Sequence, residues 1–298
     1  MDYRKKNILI IGGDSFVGQN FSKKTKSGAN IRLISRKKTH EENEILSSDF
    51  TDINEKHFQW ADIVFNCAAI VHSPKASTES YYQVNYKLTE KNALKAKNNG
   101  VGLFIQMSTI AVYGNQPHID KTTIEKPLNP YGKSKLLADN VLKEMVSEDF
   151  KVLILRPPMI YGEANAPGNM RKLINLVNTG LPLPLAGINN KKQFLNIDNL
   201  VAFLDEATER EITGIRIPAD KESISTTELI KLIGKNLNKQ AFLFRIPGQI
   251  WFVKHFFPAL YQKLYTDLII HSDFRYSIHT DIGLNEGIEK MAGSEEYT

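Results

Sequence analysis

Asn7-Ile8-Leu9-Ile10-Ile11 is an unbroken apolar run that ends directly on Gly12-Gly13-Asp14-Ser15-Phe16-Val17-Gly18. Apolar residues without alternation read as a strand buried on both faces of a parallel sheet. The glycine-rich turn reads as a helix entry, where backbone N–H groups can face an anion. A helix to about Lys26 and a second strand over residues 31–34 complete a strand–turn–helix–strand unit. Few folds accept that unit other than a parallel sheet with helices on both faces.

Further strand-like runs at 63–65, 103–107 and 152–155 alternate with helical stretches at 81–98 and 130–146. The expected fold is therefore α/β, a Rossmann-type doubly wound parallel sheet. After about Tyr161 the rhythm fades and Pro167-Gly168, Gly180-Leu181-Pro182-Leu183-Pro184 and Gly187 crowd in. We expect residues 1–166 with about 192–218 to form a dinucleotide-binding domain. About 167–191 with 219–285 should form a smaller, less regular substrate-binding lobe, and 286–298 a polar tail that frays.

Tyr131-Gly132-Lys133-Ser134-Lys135 sets a phenol and an ammonium on one face of a helix, about one turn apart. A nearby cation favours the phenolate, so a Tyr of ordinary pKa about 10 becomes usable in proton transfer near neutrality. Thr109 follows the apolar run 103–107, and a hydroxyl at a strand end can hydrogen-bond the oxygen that the Tyr protonates. Ser108 is a second, weaker donor. The set points to carbonyl/alcohol redox chemistry with hydride carried by a nicotinamide. Tyr-x-x-x-Lys alone is common on solvated helices. Its weight here comes from order: glycine turn, then the Thr-bearing strand, then the Tyr helix.

Composition narrows the rest. Lysines are spread along the chain rather than gathered in a stripe, so the net charge of +5 reads as solubility or attraction for an anionic substrate, not nucleic-acid binding. The single Cys67 excludes an intrachain disulfide, and the scattered histidines offer no metal-ligand spacing. Without a secretory leader or an apolar run of about 18 residues, the expectation is a cytoplasmic protein with no transmembrane segment.

With these pieces in order, the chain resembles the extended short-chain dehydrogenase/reductase family of nucleotide-sugar epimerases, dehydratases and reductases. Asn66-Cys67-Ala68-Ala69 is similar to the segment that lines the cofactor, and Val84-Asn85 to the pair opening a helix under the nicotinamide half. Arg156-Pro157-Pro158-Met159-Ile160-Tyr161-Gly162 resembles the Arg-Pro-x-Asn-Val-Tyr-Gly stretch. Phe194-Leu195-Asn196-Ile197-Asp198-Asn199-Leu200 resembles the Phe-Ile-His-Val-x-Asp-Leu return segment. The strings 155–162, 167–170 and 187–190 look closer still to bacterial capsule and O-antigen enzymes acting on UDP-2-acetamido-2,6-dideoxy-4-keto-hexoses.

The resemblance implies a cofactor site of Gly12, Ser15, Phe16, Val17 and Gly18, with Ser35, Arg36, Asp49 and Phe50. Ala68, Ala69 and Asn85 continue it, followed by Tyr131, Lys135, Pro158 and Ile160. Substrate contacts would come from Thr109, Tyr131, Met159, Asn169, Lys192 and Phe194, and the catalytic set is Thr109, Tyr131 and Lys135. The departures matter too. Ser15 stands where the family's middle glycine is usual and can add a hydroxyl donor. Ser35-Arg36-Lys37-Lys38 replaces the acidic residue that grips a ribose 2′-OH, which favours NADP(H) while leaving NAD(H) possible. Ile110 and Ala111 stand where sugar 4,6-dehydratases carry Asp-Glu, and neither can move a proton, which rules out that reaction. Met159 replaces a substrate-binding Asn.

The leading expectation is an NADPH-dependent 4-keto reductase of a UDP-linked 2-acetamido-2,6-dideoxy-hexos-4-ulose in surface-polysaccharide synthesis. The alternative is an NAD-dependent UDP-sugar 4-epimerase of the UDP-N-acetylglucosamine or UDP-glucose type, and a third class is a non-catalytic NADPH-sensing protein. Helices 81–98 and 130–146 look amphipathic enough to offer a second face, so a homodimer is expected. Residues 246–264 leave two readings open: a core segment of the substrate lobe, or an amphipathic helix in peripheral contact with a membrane.

Overall fold

The computed structural model describes residues 5–39, 43–71, 76–272, 275–276 and 282–293. The chain divides into two compact units, one of residues 1–114, 124–157 and 201–217, the other of residues 115–123, 158–200 and 218–298.

The first unit is built on parallel strands β1 (Asn7–Ile11), β2 (Asn30–Ser35), β3 (Glu44–Leu46), β4 (Ile63–Asn66), β5 (Leu103–Met107), β6 (Lys151–Leu155) and β7 (Gly214–Pro218). Their spatial order is β7-β6-β5-β4-β1-β2-β3. Ile8, Leu9, Ile10 and Ile11 are all fully buried, as their lack of alternation requires. One face of the sheet packs Leu9, Ile11, Val64 and Phe104 against Ala93, Ala96 and Leu142 of the flanking helices. β1 pairs with β2 on one side and β4 on the other, with Ile8 opposite both Ile31 and Ile63. Strand order therefore reverses at β1, and a crevice opens beyond the carboxyl ends of β1 and β4, where ligands of such sheets bind.

The helix expected over 81–98 starts earlier and is not uniform. A turn at Thr78–Tyr81 runs into a π-helical segment, Tyr82–Lys87, and then the α-helix Leu88–Asn98. The helix Pro130–Met145 has the expected start: Asn129 caps it by accepting from the Gly132 N–H at 2.8 Å, and Pro130 occupies its first position.

The second unit carries helices Asn169–Asn178, Thr226–Asn236, Gln249–Phe256, Pro258–Leu264 and Leu284–Ala292. Short strand pairs tie its loops: Ile160–Tyr161 with Leu195–Asn196, Lys192–Gln193 with Ser223–Ile224, and His118–Ile119 with Ile269–Ile270. At its centre the buried Asp220 carboxylate accepts from the Tyr161 hydroxyl at 2.9 Å, the Asn199 amide at 2.8 Å and the Asn196 N–H at 3.1 Å. Residues 115–123, 158–166 and 192–200, expected with the sheet, belong to this unit, where these short strand pairs hold them.

The expected polar tail differs most. Leu284, Ile288 and Met291 follow helical spacing and are buried, and the helix packs on Thr226–Asn236. Gly287 sits so close to Tyr161 that a Cβ there would lie 2.5 Å from the ring. Residues 294–298 of that tail lie outside the described residues. The stretch 246–264 is not a core segment. It forms two helices broken at Pro258, with only Val253 buried in the first and no residue in the second.

Candidate active site

β1 ends in Gly12 at φ +88°, a conformation that suits glycine, and a Cβ there would come within 2.7 Å of the Ala68 nitrogen. Phe16 and Val17 begin the following helix, which has no acidic residue in its first turn. Their early backbone N–H groups have no partner within the helix and form a natural anion cradle. A dinucleotide pyrophosphate fits this turn. Ser15 does not supply the extra donor expected of it. Its oxygen caps the helix, accepting from the Gly18 N–H at 3.1 Å, and its hydroxyl is shared with the buried Cys67 thiol.

At the end of β2, Ser35 is fully buried and its hydroxyl oxygen has no partner among the described residues. Arg36 beside it is exposed, its guanidinium 5.5 Å from the Phe50 ring. Arg36, Asp49, Phe50, Lys87 and Lys91 border a groove of about 360 Å³. Asp49 accepts from the Thr51 N–H at 2.7 Å and the Thr51 hydroxyl at 2.8 Å, which holds its carboxyl below the usual range. Three cations, Arg36, Lys87 and Lys91, line the groove beside this one carboxylate.

Ala68 and Ala69 follow β4. Asn85, expected at the cofactor, is fully buried and spends its amide on protein. Its oxygen accepts from the Ile70 N–H at 2.8 Å, and its nitrogen donates to the Ile70 carbonyl at 3.0 Å and the Ser134 hydroxyl at 3.1 Å. Asn85 thus ties the loop after β4 to the Tyr131 helix. It sits inside the π-helical segment, a geometry common at functional sites.

Thr109, Tyr131 and Lys135 are brought together as expected, all on the first unit. The Thr109 oxygen accepts from the Ala111 N–H at 3.2 Å, which leaves its proton for the hydrogen bond it makes with Tyr131. Tyr131 is 8% exposed and Lys135 1%. Burial pushes Tyr131 up to about 12, opposed by the Thr109 hydrogen bond. Burial also brings Lys135 down to about 8, opposed by the Asp139 charge. The Lys135 ammonium donates to the Met107 carbonyl at 2.8 Å. The expected lowering of the phenol by this cation is therefore overridden, because desolvation wins.

Behind the trio lies a buried ion cluster that sequence reasoning missed. Asp139 accepts from the Ser108 hydroxyl and from Arg156 Nε, each at 2.9 Å. Arg156 also donates to the Tyr113 hydroxyl at 2.7 Å and to Glu125 at 2.9 Å. Burial raises the Asp139 carboxyl, and the Arg156 charge and the Ser108 hydrogen bond oppose it. Ser108 is thereby committed to Asp139 and is no spare donor. The signal was present: Asp139 follows Lys135 by one helical turn.

The remaining residues stand on the second unit. Met159 gives its carbonyl to the Leu195 N–H at 3.1 Å, Pro158 is buried and Ile160 lies in a short strand. Asn169 is exposed at a helix start. Phe194 is buried edge-on to Tyr161, with centroids 6.2 Å apart. Lys192 donates to the Gln262 carbonyl at 3.1 Å, and burial brings it down to about 8. Among the described residues no group of His, Cys, Asp and Glu side chains could hold a metal ion.

A buried phenol and ammonium at the carboxyl edge of a dinucleotide-binding sheet put this chain among NAD(P)-dependent enzymes of the short-chain dehydrogenase/reductase type. The sequence model of the NAD dependent epimerase/dehydratase family matches residues 8–215, and the chain belongs to that family. It is 28% identical over 255 residues to the N-acetyl-alpha-D-glucosaminyl-diphospho-ditrans,octacis-undecaprenol 4-epimerase of Escherichia coli O157:H7, covering 81% of this chain and 75% of that one. It is also 28% identical over 270 residues to the UDP-glucose 4-epimerase of Vibrio cholerae, covering 84% and 81%. The fold is similar to that of the UDP-glucuronic acid 4-epimerase of Bacillus cereus in complex with NAD. That likeness has a TM-score of 0.77 at 19% identity and covers 95% of this chain and 94% of that one.

Proposed function

We propose that this chain is a UDP-sugar 4-epimerase acting on a UDP-N-acetylglucosamine or UDP-glucose type substrate. The observation that carries the reading is the trio itself: Thr109 bonded to Tyr131, with Lys135 one turn on, beside a glycine cradle. The two 4-epimerase relatives, matched over most of the chain, favour epimerisation over the reductase expected first.

When bound, a nicotinamide dinucleotide supplies the acceptor that takes up the C4 hydrogen as hydride and returns it. The residues handle the proton. In its phenolate form, which the Thr109 hydrogen bond favours, Tyr131 takes it from the C4 hydroxyl as the carbonyl forms, and the resulting phenol gives it back when the alcohol re-forms on the opposite face. Thr109 donates to Tyr131 and fixes the phenol oxygen for a hydrogen bond with the C4 oxygen. Gly12 and the first turn of its helix hold the pyrophosphate, and Lys135 stands ready for the nicotinamide ribose. Ile110 and Ala111 move no proton, so water stays on the sugar. Met159, Asn169, Lys192 and Phe194 remain proposed sugar-nucleotide contacts.

The experiment is incubation of the purified protein with UDP-N-acetylglucosamine or UDP-glucose and no added reductant. Appearance of the C4 epimer supports the proposal. No epimer from either sugar, with or without added NAD, rejects it.

One observation favours the second reading, NADPH-dependent reduction of a UDP-4-keto sugar. β2 ends without a carboxylate, and Arg36, Lys87 and Lys91 share the adjoining groove. Consumption of NADPH on a UDP-4-keto sugar, without epimerisation, supports that reading. A homodimer is also proposed. Leu94 and Leu137 are exposed at 49% and 42% on the two helices expected to pair.

A further inference from the structure

The helices Gln249–Phe256 and Pro258–Leu264 of the second unit turn their apolar side chains outward. Ile250, Trp251, Phe252, Phe256, Phe257 and Leu260 are all exposed, from 44% at Leu260 to 61% at Trp251 and Phe256. The rings form one cluster: Phe252 and Phe256 centroids lie 4.9 Å apart, Phe252 and Phe257 5.9 Å, Trp251 and Phe256 6.2 Å. Contiguous apolar surface of this kind marks an interaction site.

Charge says what covers it. Between Glu228 and Asp267 the chain has no carboxylate, yet it carries Lys231, Lys235, Lys239, Arg245, Lys254 and Lys263. Arg245, Lys254 and Lys263 are exposed within and beside the aromatic cluster. A second copy of the chain fits this surface poorly. A two-fold contact sets a patch against itself, so these cations would face one another with no acid between them. An anionic bilayer fits it well. Trp and Phe rings settle at the headgroup level, while Lys and Arg reach lipid phosphates.

We propose that the face of residues 246–264 docks this protein on an anionic lipid bilayer as a peripheral surface contact. Neither helix is long enough to span a membrane, and the contact is interfacial.

The test is flotation of the full-length protein with vesicles of phosphatidylcholine alone and of phosphatidylcholine with phosphatidylglycerol, without substrate or dinucleotide. Wild-type protein should float with the anionic vesicles and bind far less to the neutral ones. Because the rings are exposed, Trp251→Ser and Phe256→Ser should leave the thermal midpoint unchanged and each lower partition on the order of tenfold. Lys254→Glu with Lys263→Glu should abolish the preference for anionic vesicles. Wild-type protein that stays with the buffer overturns the proposal. So does a serine variant that floats as well as wild type. A serine variant that halves the mass in light scattering with flotation unchanged assigns the face to a second copy instead.

Discussion

At Tyr131 two effects oppose each other: burial raises the phenol to about 12, and the Thr109 hydroxyl pulls it back. The protein's own groups therefore favour the neutral phenol at pH 7, and the phenolate needed for proton uptake rests on the Thr109 hydrogen bond against burial. Tyr131→Phe should keep the fold and cost about 10² to 10⁴-fold in turnover, since only the proton carrier is lost. Near-normal turnover would remove Tyr131 from the mechanism. Thr109→Ala should move the phenol still higher, readable by ultraviolet difference titration. Ser108 cannot replace Thr109, because its proton is given to Asp139. Lys135 has the opposite sign. Its folded-state pKa of about 8 lies below the ordinary 10.5, so the folded protein binds fewer protons than the unfolded chain between those values. Burial of its charge thus costs stability in full below pH 8, up to about 3 kcal/mol, and the cost fades as pH rises toward 10.5. Lys135→Met should melt higher than wild type at pH 7, by less at pH 10, and turn over poorly. A lower melting temperature at pH 7 would contradict the account.

The Pro130–Met145 helix links the chemistry to the sheet. Tyr131 and Lys135 face the site, and Asp139, one turn further, enters the buried cluster with Ser108 and Arg156. One helix face thus fixes both the Tyr131 phenol and the strand end that carries Thr109. Removing Asp139 takes the buried carboxylate from the fully buried Arg156 guanidinium and leaves it Glu125 and Tyr113. Asp139→Ala should destabilise the protein by up to about 3 kcal/mol, seen as an earlier denaturant midpoint with an unchanged slope. Asn85 joins the same helix to the loop after β4. Asn85→Ala should weaken dinucleotide binding by loosening that loop, because both polar atoms of the Asn85 amide hold protein partners.

For the whole molecule, each unit combines buried apolar residues with a buried polar cluster. The first unit sets consecutive apolar strands beside Asp139, Ser108 and Arg156, and the second sets Ile174, Ile230, Ile233 and Ile288 beside Asp220 with Tyr161, Asn196 and Asn199. The C-terminal helix completes the second unit through the close approach of Gly287 to Tyr161. Gly287→Val should lower the thermal midpoint, because the ring lies where the new side chain must go, and a shift within error would dismiss that contact. Arg36→Ala tests the cofactor groove. If Arg36 pairs with a 2′-phosphate, the substitution should weaken NADPH binding by roughly 10- to 150-fold and leave NADH binding unchanged.

The sequence by itself determined the sheet, the glycine turn and the Thr–Tyr–Lys set. Those signals are local: runs of buried apolar residues, a turn that admits only small side chains, and i, i+4 spacing on one helix. It also carried the Ser35-Arg36 departure and the missing acid and base at Ile110 and Ala111. Only the tertiary structure decided what each polar group does. Asn85 became a clamp and Ser108 a donor to Asp139, because hydrogen-bond partners distant in the chain took them, while Ser15 caps its own helix through the nearby Gly18. It decided that burial, not the neighbouring ammonium, sets the Tyr131 pKa, since desolvation depends on every atom around the ring. It decided too that residues 284–292 are an anchored helix and that the aromatic residues of 246–264 face outward. Hydrophobic periodicity shows that a helix has an apolar face, but not whether the rest of the chain arrives to cover it.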